Sequence, residues 1–257
     1  MELWLNSTIR VAALLTMCAG LWSLESLIPL FRYWPGRWRR VAPNLVLAFL
    51  VVLLNASVAS VLAWFSALVT RNHVGLLSGI RSYPLLMVLG VAGMDFFTYL
   101  AHVLLHKMPW AWRFHRVHHS EVEVDVTTTF RQHPLETLWR ILWQLLATVV
   151  FGLPFWIVVL YLSLSSLNAL WEHANIRMGR RLDTWLRLVI VTPNMHKIHH
   201  SQRIAETDSN YSNILSIWDR LGRTYVTRRS YEGLRYGLGG SDEDEKQSLN
   251  GLLRMRV

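Results

Sequence analysis

Histidines at helical spacing are the strongest chemical signal in this 257-residue chain. Eight of its eleven histidines fall in a pair and in two H-x-x-H-H runs, "HRVHHS" and "HKIHHS". The pair is His102 and His106, and the runs are His115, His118, His119 and His196, His199, His200. Because residues three or four apart share one side of an α-helix, each run predicts three imidazoles that point the same way, half of a metal site. Without a metal, buried imidazoles would lack partners and would repel one another when protonated.

The ligand type narrows the choice of metal. All-imidazole ligation suits Zn, Cu, Fe or Ni and argues against Mg and Ca. Eight or nine histidines exceed what one ion uses, so two ions are expected. No carboxylate base is built into the histidine runs, as a zinc hydrolase would require, so redox iron fits better. A metal-dependent hydrolase or another non-redox metal enzyme is the alternative. The lone Cys18 excludes a disulfide or a multi-thiolate site within this chain.

Long apolar segments must position these histidines. With 52% hydrophobic and 17% charged residues, the composition is typical of a membrane protein. Residues 9–31, 45–69 and 84–105 each have about the 20 apolar residues that a spanning helix needs. Residues 138–170 are too long for one crossing and predict a helical hairpin broken at Gly152-Leu153-Pro154. The expected fold is all-α: an integral membrane bundle of three spans plus this hairpin, with a cytosolic His-rich helical dome.

Charge sets the expected orientation. The linker after the first segment carries Arg32, Arg37, Arg39 and Arg40, whereas the linker after the second carries only Arg71 and Arg81. The first linker is therefore cytoplasmic, which predicts that the histidines face the cytoplasm of a cell (inner) membrane. The net charge of +9 is explained by this topology and by attraction to anionic headgroups. No nucleic-acid-binding module is recognisable.

The chain is interpreted as one domain. Residues 1–83 would form anchor helices, since residues 1–6 lack the basic start of a signal peptide. Residues 84–225 would form the catalytic core, and 226–257 a tail that includes the solvated acidic run 241–246. Within the core, Thr192 as N-cap and Pro193 as first helical residue predict the start of the third histidine helix.

Six motifs carry a resemblance to a known family. They are "DFFTYLAHVLLH", "WRFHRVHHS", "DVTTTFRQHPLE", "EHANIR", "VTPNMHKIHHS" and "TDSNYSNILSIWDRLGRTY", in order between Asp95 and Tyr225. Together they resemble the fatty acid hydroxylase/sterol desaturase superfamily of membrane di-iron enzymes, and its bacterial sterol desaturase branch in particular. The chain departs from the usual Phe-Gly pair after "WDRL", where it has Gly222 and Arg223.

The resemblance implies roles for individual residues. It implies that the eight clustered histidines are metal ligands and that His173 is the ninth. His133 matches a further family histidine, but it precedes Pro134 and is interpreted as a ligand, a support for a ligand or a helix-start residue. Asp95 lies seven residues before His102 and could orient an imidazole or accept N–H groups from a neighbouring element. His73, alone in a loop, is expected to have no metal role.

The resemblance also implies the chemistry. It implies a non-haem di-iron oxidoreductase that uses O2 to hydroxylate or desaturate a C–H bond of a sterol, fatty acyl or related lipid from the bilayer. Zinc is expected to replace iron on overexpression. The chain has no nucleotide-binding fingerprint or haem domain, so a ferredoxin or cytochrome b5-like donor with its reductase is expected. A metal transporter is disfavoured because the spans hold few ionisable residues, and a haem protein would use isolated histidine pairs.

Overall fold

The computed structural model describes residues 6–32, 37–239 and 247–255. These residues form helices and loops without a β-strand. The helices are α1 (Ser7–Leu27), α2 (Arg37–Arg71), α3 (Tyr83–Lys107), α4 (Pro109–His119), a 3₁₀ turn (Val126–Phe130), α5 (Pro134–Phe151), α6 (Phe155–His173), α7 (Arg180–Leu186), α8 (Pro193–His199), α9 (Ile204–Thr207), α10 (Ile217–Leu221) and α11 (Leu249–Leu253).

The membrane part is a helical bundle, as the sequence predicts. Four helices are long and apolar enough to cross a bilayer: Ser7–Leu27, Trp38–Arg71, Tyr83–Lys107 and Phe155–His173. α5 and α6 form the expected hairpin, and Gly152 between them adopts a left-handed φ of 69°. The segments between and after the long helices, residues 108–133 and 174–239, form the dome. The first helix ends at Leu27, earlier than residue 31, because Pro29 pairs with Ile176 of the dome.

The loop after α2 meets the turn of the hairpin. The amide of Leu76 donates to the carbonyl of Val150 at 2.9 Å. A Cβ on Gly152 would lie 2.1 Å from the carbonyl oxygen of Val74, so the two backbones touch where only glycine fits. This contact fixes the turn of the hairpin against the loop that follows α2.

The side chains of α3 are exposed near its start and become more buried toward its end. In its first half the side chains of Leu85 and Val88 are exposed. From Met94 to Lys107 half of the side chains are buried and only that of Lys107 is exposed; Met94 packs against α5 and α6, and Leu105 is fully buried. Helix α3 therefore begins on the lipid-exposed surface and ends among dome elements, which places its histidines at the base of the dome.

The dome contacts α1 through hydrogen bonds, and the C-terminal helix α11 packs against α2 and α4. Glu25 of α1 is buried and accepts hydrogen bonds from the amides of Val126 (2.7 Å) and Asn175 (2.8 Å). Leu252 of α11 is buried against Leu47 and Val117. The described part of the predicted tail is thus packed against α2 and α4, while the acidic run 241–246 lies outside the described residues.

Candidate metal centre

Nine histidines form two adjoining groups whose ligand nitrogens lie within 4.8 Å of one another in each group. The five-histidine group is His102, His106, His115, His119 and His199. The four-histidine group is His118, His173, His196 and His200. These are the nine residues that the sequence suggests as ligands, contributed by α3, α4, α6 and α8 together with the residue that caps α8.

Each H-x-x-H-H run supplies both groups. His115 and His119 join the five-histidine group, whereas His118 joins the other. In the run of α8 the division is reversed. His199 belongs to the five-histidine group, whereas His196 and His200 belong to the four-histidine group. Neighbouring helical residues point about 100° apart, so adjacent histidines diverge while pairs four apart stay together. The expectation that each run serves as half of a site is therefore wrong in detail.

The ring nitrogens approach one another as ligands of a common ion would. The Nε2 of His115 lies 3.0 Å from that of His102 and 3.2 Å from that of His119. In the second group the Nε2 of His173 lies 3.0 Å from those of His118 and His196. Without a metal, the buried Nε2 atoms of His106 and His199 have no hydrogen-bond partner among the described residues. This donor set suits a transition metal.

Backbone carbonyls orient four of the imidazoles. The Nδ1 contacts are His102 with the carbonyl of Tyr211 (2.8 Å), His118 with that of Arg131 (3.3 Å), His173 with that of Ala169 (2.7 Å) and His199 with that of Ser209 (2.7 Å). Because a carbonyl only accepts, Nδ1 must carry the proton in each case. The Nε2 lone pair is then left for a metal, as is usual for histidine ligands.

Carboxylates support two imidazoles of the five-histidine group. The Nδ1 of His106 donates to Oδ1 of Asp208 at 3.3 Å, and Lys107 donates to Oδ2 at 2.7 Å. The Nδ1 of His115 lies 3.0 Å from Oε1 of Glu136, although the angle is too bent for a good hydrogen bond. The hydrogen bonds from His106 and Lys107 lower the pKa of Asp208, which keeps it ionised.

A third carboxylate lies beside the four-histidine group. Oε1 of the buried Glu172 is 3.9 Å from Nε2 of His196, and Asn168 donates to Oε2 of Glu172 at 3.2 Å. The H-x-x-H-H runs themselves contain no carboxylate, as the sequence shows, but folding brings Glu172 beside the ligands. Glu172 directly precedes His173, which the sequence displays, whereas Asp208 and Glu136 reach the site only through tertiary folding.

Burial keeps the imidazoles neutral and able to bind metal. Removal from water lowers the pKa of His119 and His200 well below the usual imidazole range, and repulsion from neighbouring histidines lowers it further. The pKa of His199 falls to about 4, mainly because of burial. At neutral pH these rings are uncharged, each with one N–H and one free lone pair.

Asp95, His133 and His73, which the sequence also singles out, lie outside the two histidine groups. Asp95 accepts from the amides of Ile214 and Leu215 and from the indole of Trp218, so it holds a dome segment and is not bonded to an imidazole. His133 lies in neither histidine group and caps α5, accepting from the amide of Leu135, as the helix-start interpretation predicts. His73 lies exposed in its loop.

Sequence reasoning missed Arg131, two residues before His133. Its side chain is fully buried and donates to the carbonyl of Val117 at 3.0 Å, near the end of α4. It also donates to Oγ of Ser120 at 2.8 Å and to Oε1 of Gln247 at 2.6 Å. Arg131 thereby joins the second histidine helix to the C-terminal segment.

Gly222 and Arg223, which replace the usual Phe-Gly pair of the family, form a turn beside α3. Arg223 adopts a left-handed φ of 57°. A Cβ on Gly222 would lie 2.0 Å from the hydroxyl of Tyr99, so a larger residue at 222 would require the Tyr99 side chain to shift. The hydroxyl of Tyr99 lies 3.1 Å from that of Thr224, which holds the turn against α3.

A cavity of about 430 Å³ reaches the five-histidine group. Its wall includes the imidazoles of His106 and His119, the apolar side chains of Trp112 and Ile204, and Asp208. None of its lining residues belongs to the four-histidine group. A molecule in this cavity therefore contacts the five-histidine group and not the four-histidine group.

Comparison with known proteins places this site in context. The sequence profile described as fatty acid hydroxylase matches residues 87–224. Ornithine lipid hydroxylase OlsE of Rhizobium tropici is 34% identical over 139 residues, which cover 54% of this chain and 41% of that protein. Alkylglycerol monooxygenase of Xenopus tropicalis is 29% identical over 146 residues, 57% of this chain and 31% of that protein. The human alkylglycerol monooxygenase is 28% identical over 148 residues, with the same shares of 57% and 31%. The matches thus span less than half of these relatives, and no solved structure matches.

Proposed function

Because the chain belongs to the fatty acid hydroxylase family, we propose that it is a membrane enzyme that uses two iron ions and O2 to oxidise a C–H bond of a lipid. The observation that carries the proposal is the presence of nine imidazoles in two groups of five and four. Two adjoining all-nitrogen sites suit a pair of transition-metal ions and exceed the needs of one.

The protein's own residues prepare the site. The nine histidines would hold the metals through the nitrogens that face each group. Carbonyls and carboxylates fix the rings by accepting from Nδ1, which makes the opposite nitrogen the ligand. His115 and His199 are fully buried, and the cavity meets the centre at His106 and His119. The chemistry that bound iron supplies is the activation of O2 for attack on an unactivated carbon.

The reaction needs a source of electrons. Hydroxylation consumes one O2, two electrons and two protons and gives an alcohol and one water, while desaturation with the same inputs gives an alkene and two waters. An external ferredoxin or cytochrome b5-like protein with its reductase would supply the electrons. Exposed basic side chains near the cavity, Lys107, Arg113 and Arg203, favour an acidic donor.

The substrate class follows from the relatives and the membrane. One relative is named for ornithine lipid and another for alkylglycerol, both lipids with a polar head. We propose a substrate of this kind, taken from the cytoplasmic leaflet of the cell membrane. The orientation rests on Arg32, on the arginines at the start of α2 and on those that follow α6.

The test is a product assay with isotopic oxygen. The protein, purified into nanodiscs and loaded with Fe(II), is given a reduced ferredoxin system and ornithine lipid or 1-O-hexadecylglycerol. We expect O2-dependent product by mass spectrometry, two metal ions per chain by elemental analysis, and 18O from 18O2 in any alcohol. His119→Ala and His200→Ala should abolish product, whereas His73→Ala should not. One ion or none in the gently purified protein would refute the di-iron assignment.

A metal-dependent hydrolase is the second candidate because Glu172 offers a carboxylate beside the four-histidine group. The same assay separates the two. Hydrolysis would proceed without O2 and would bring 18O from labelled water into the product. Oxygen-dependent turnover with the label from 18O2 excludes the hydrolase.

A further inference from the structure

Large apolar side chains are exposed on two neighbouring dome segments. Leu182, Trp185, Leu188, Val189, Ile217 and Leu221 are between 41% and 72% exposed. We call these six residues the collar. Contiguous apolar exposure of this kind on a folded domain usually marks a surface that contacts a partner or a membrane.

Hydrogen bonds make the collar one surface. The amide of Val191 donates to the carbonyl of Ile214 at 2.9 Å, and the amide of Ser216 donates to that of Val189 at 3.1 Å. The guanidinium of Arg220 donates to the carbonyl of Arg187 at 2.6 Å. The segment that follows α7 and the segment that enters α10 are therefore held side by side.

Asp95 fixes the height of the collar along α3. Its Oδ2 accepts from the amide of Leu215 and from the indole of Trp218, each at 2.8 Å. Asp95 lies where α3 changes from the exposed side chains of Leu85 and Val88 to buried ones that pack against α5, α6 and the dome. The collar therefore lies beside the part of α3 at which the exposed apolar side chains of the bundle end.

The charge around the collar matches an anionic surface. Arg177, Arg180 and Arg181 are exposed immediately before it, and Arg223 is exposed after it. Asp183, within the first segment, is buried and accepts from Thr192 at 2.6 Å. In the described segment 177–189 every exposed charged side chain is thus an arginine. Tryptophan, leucine and arginine together are the composition of interfacial segments.

We propose that the collar is an interfacial anchor of the dome. Its apolar side chains enter the acyl boundary of the cytoplasmic leaflet, and its arginines contact anionic lipid headgroups. The occupant is the leaflet itself because the collar is continuous with the lipid-exposed face of α3.

The anchor sits next to the metal centre in the chain. The first collar segment, residues 182–189, leads into Thr192, the N-cap of α8. Helix α8 carries His196 and His199. The other segment follows Tyr211, whose carbonyl orients His102. The collar would therefore set the height of the histidine groups above the bilayer, whichever reaction they perform.

Lipid quenching of a fluorescent label tests this directly. In a Cys18→Ala background, single cysteines replace Trp185 or Leu221, or Ile204 as the matched control, and each is labelled with bimane. Ile204 is also a dome residue with an apolar side chain and is 80% exposed, but it lies at the cavity and not on the collar. The protein is reconstituted in vesicles of phosphatidylcholine and phosphatidylglycerol that contain a doxyl-labelled lipid.

We expect doxyl lipid to quench the labels at 185 and 221 at least two-fold more than the label at 204. Raising the phosphatidylglycerol fraction should increase quenching at 185, and Arg180→Gln with Arg181→Gln should remove that increase, whereas Arg203→Gln should not. Equal quenching at all three sites, or none at the two collar sites, would overturn the proposal. Quenching of the collar labels without any dependence on phosphatidylglycerol would overturn the part assigned to the arginines.

Discussion

Replacing Arg131 with methionine should destabilise the dome strongly while leaving its surface unchanged. The guanidinium is fully buried and has five acceptors within 3.5 Å. They are the carbonyl of Val117 (3.0 Å), Oγ of Ser120 (2.8 Å), Oδ1 of Asn44 (3.2 Å), Oε1 of Gln247 (2.6 Å) and, as an ion pair, Oε2 of Glu121 (3.5 Å). Methionine fills similar space but donates to none of them.

The expected loss is large because the buried Glu121 loses one of its two cationic partners in the described part of the chain, and four further acceptors lose a donor. Removing one member of a buried ion pair typically costs about 3–5 kcal/mol. For a domain of 150–250 residues, each kcal/mol lowers Tm by about 2–4 °C, so Arg131→Met should lower it by about 6–20 °C. Glu121→Gln added to this variant should recover part of the loss, because without Arg131 the buried carboxylate of Glu121 keeps a single cationic partner among the described residues, Arg40 at 3.6 Å.

The measurement is thermal unfolding in one detergent at one heating rate, followed by tryptophan fluorescence, with metal content determined in parallel. Arg203→Met is the matched control, since Arg203 is 71% exposed, and its Tm should stay within about 2 °C of the wild type. The reasoning would be refuted by an Arg131→Met protein that melts within 2 °C of the wild type. It would also fail if Glu121→Gln lowered the Tm of the double variant further.

Three further predictions concern the metal centre, the hairpin and the topology. Asp208→Asn should weaken metal binding by about 10–100-fold in a chelator competition, because the carboxylate that orients an imidazole is lost; unchanged affinity would contradict its assigned role. Gly152→Ala should destabilise by more than about 2 kcal/mol in thermal unfolding, since its φ is +69° and its Cβ would meet a carbonyl oxygen at 2.1 Å. The control Gly20→Ala, with nothing within 4 Å, should not destabilise. In a cysteine-free background, exposed cysteines replacing Arg113 and Asn72 should react with impermeant reagent from opposite faces of the membrane, and labelling from the same face would refute the topology.

The sequence is sufficient to predict the membrane bundle and the hairpin because apolar runs and a Gly-Leu-Pro break are local signals. The start of α8 is also predictable, since the Thr192 side chain accepts from the amide of Met195 as an N-cap should. Helix ends were less predictable. Helix α1 stops at Leu27 because Pro29 pairs with Ile176, a contact between residues far apart in the chain.

The nine clustered histidines could likewise be found from spacing and family resemblance, but their division into two groups could not. The division depends on how α3, α4, α6 and α8 pack. The supporting carboxylates Glu136 and Asp208, and the buried Arg131, reach the site by tertiary contacts that leave no periodic signal in the sequence. A pattern search for ligands finds metal-binding residue types and overlooks the groups that orient them.

The division of each H-x-x-H-H run between both histidine groups has a thermodynamic consequence. In the proposed two-ion site, α4 and α8 would each be bonded to both ions, so the first ion to bind would clamp the two helices together. The second ion would then meet ligands that have already lost much of their conformational freedom and would bind with a smaller entropic penalty. Loading of the two ions would be cooperative, and chains that carry a single ion would be a minor species. Scarcity of metal in the cell would then reduce the number of fully loaded molecules, while each of these would keep its complete pair.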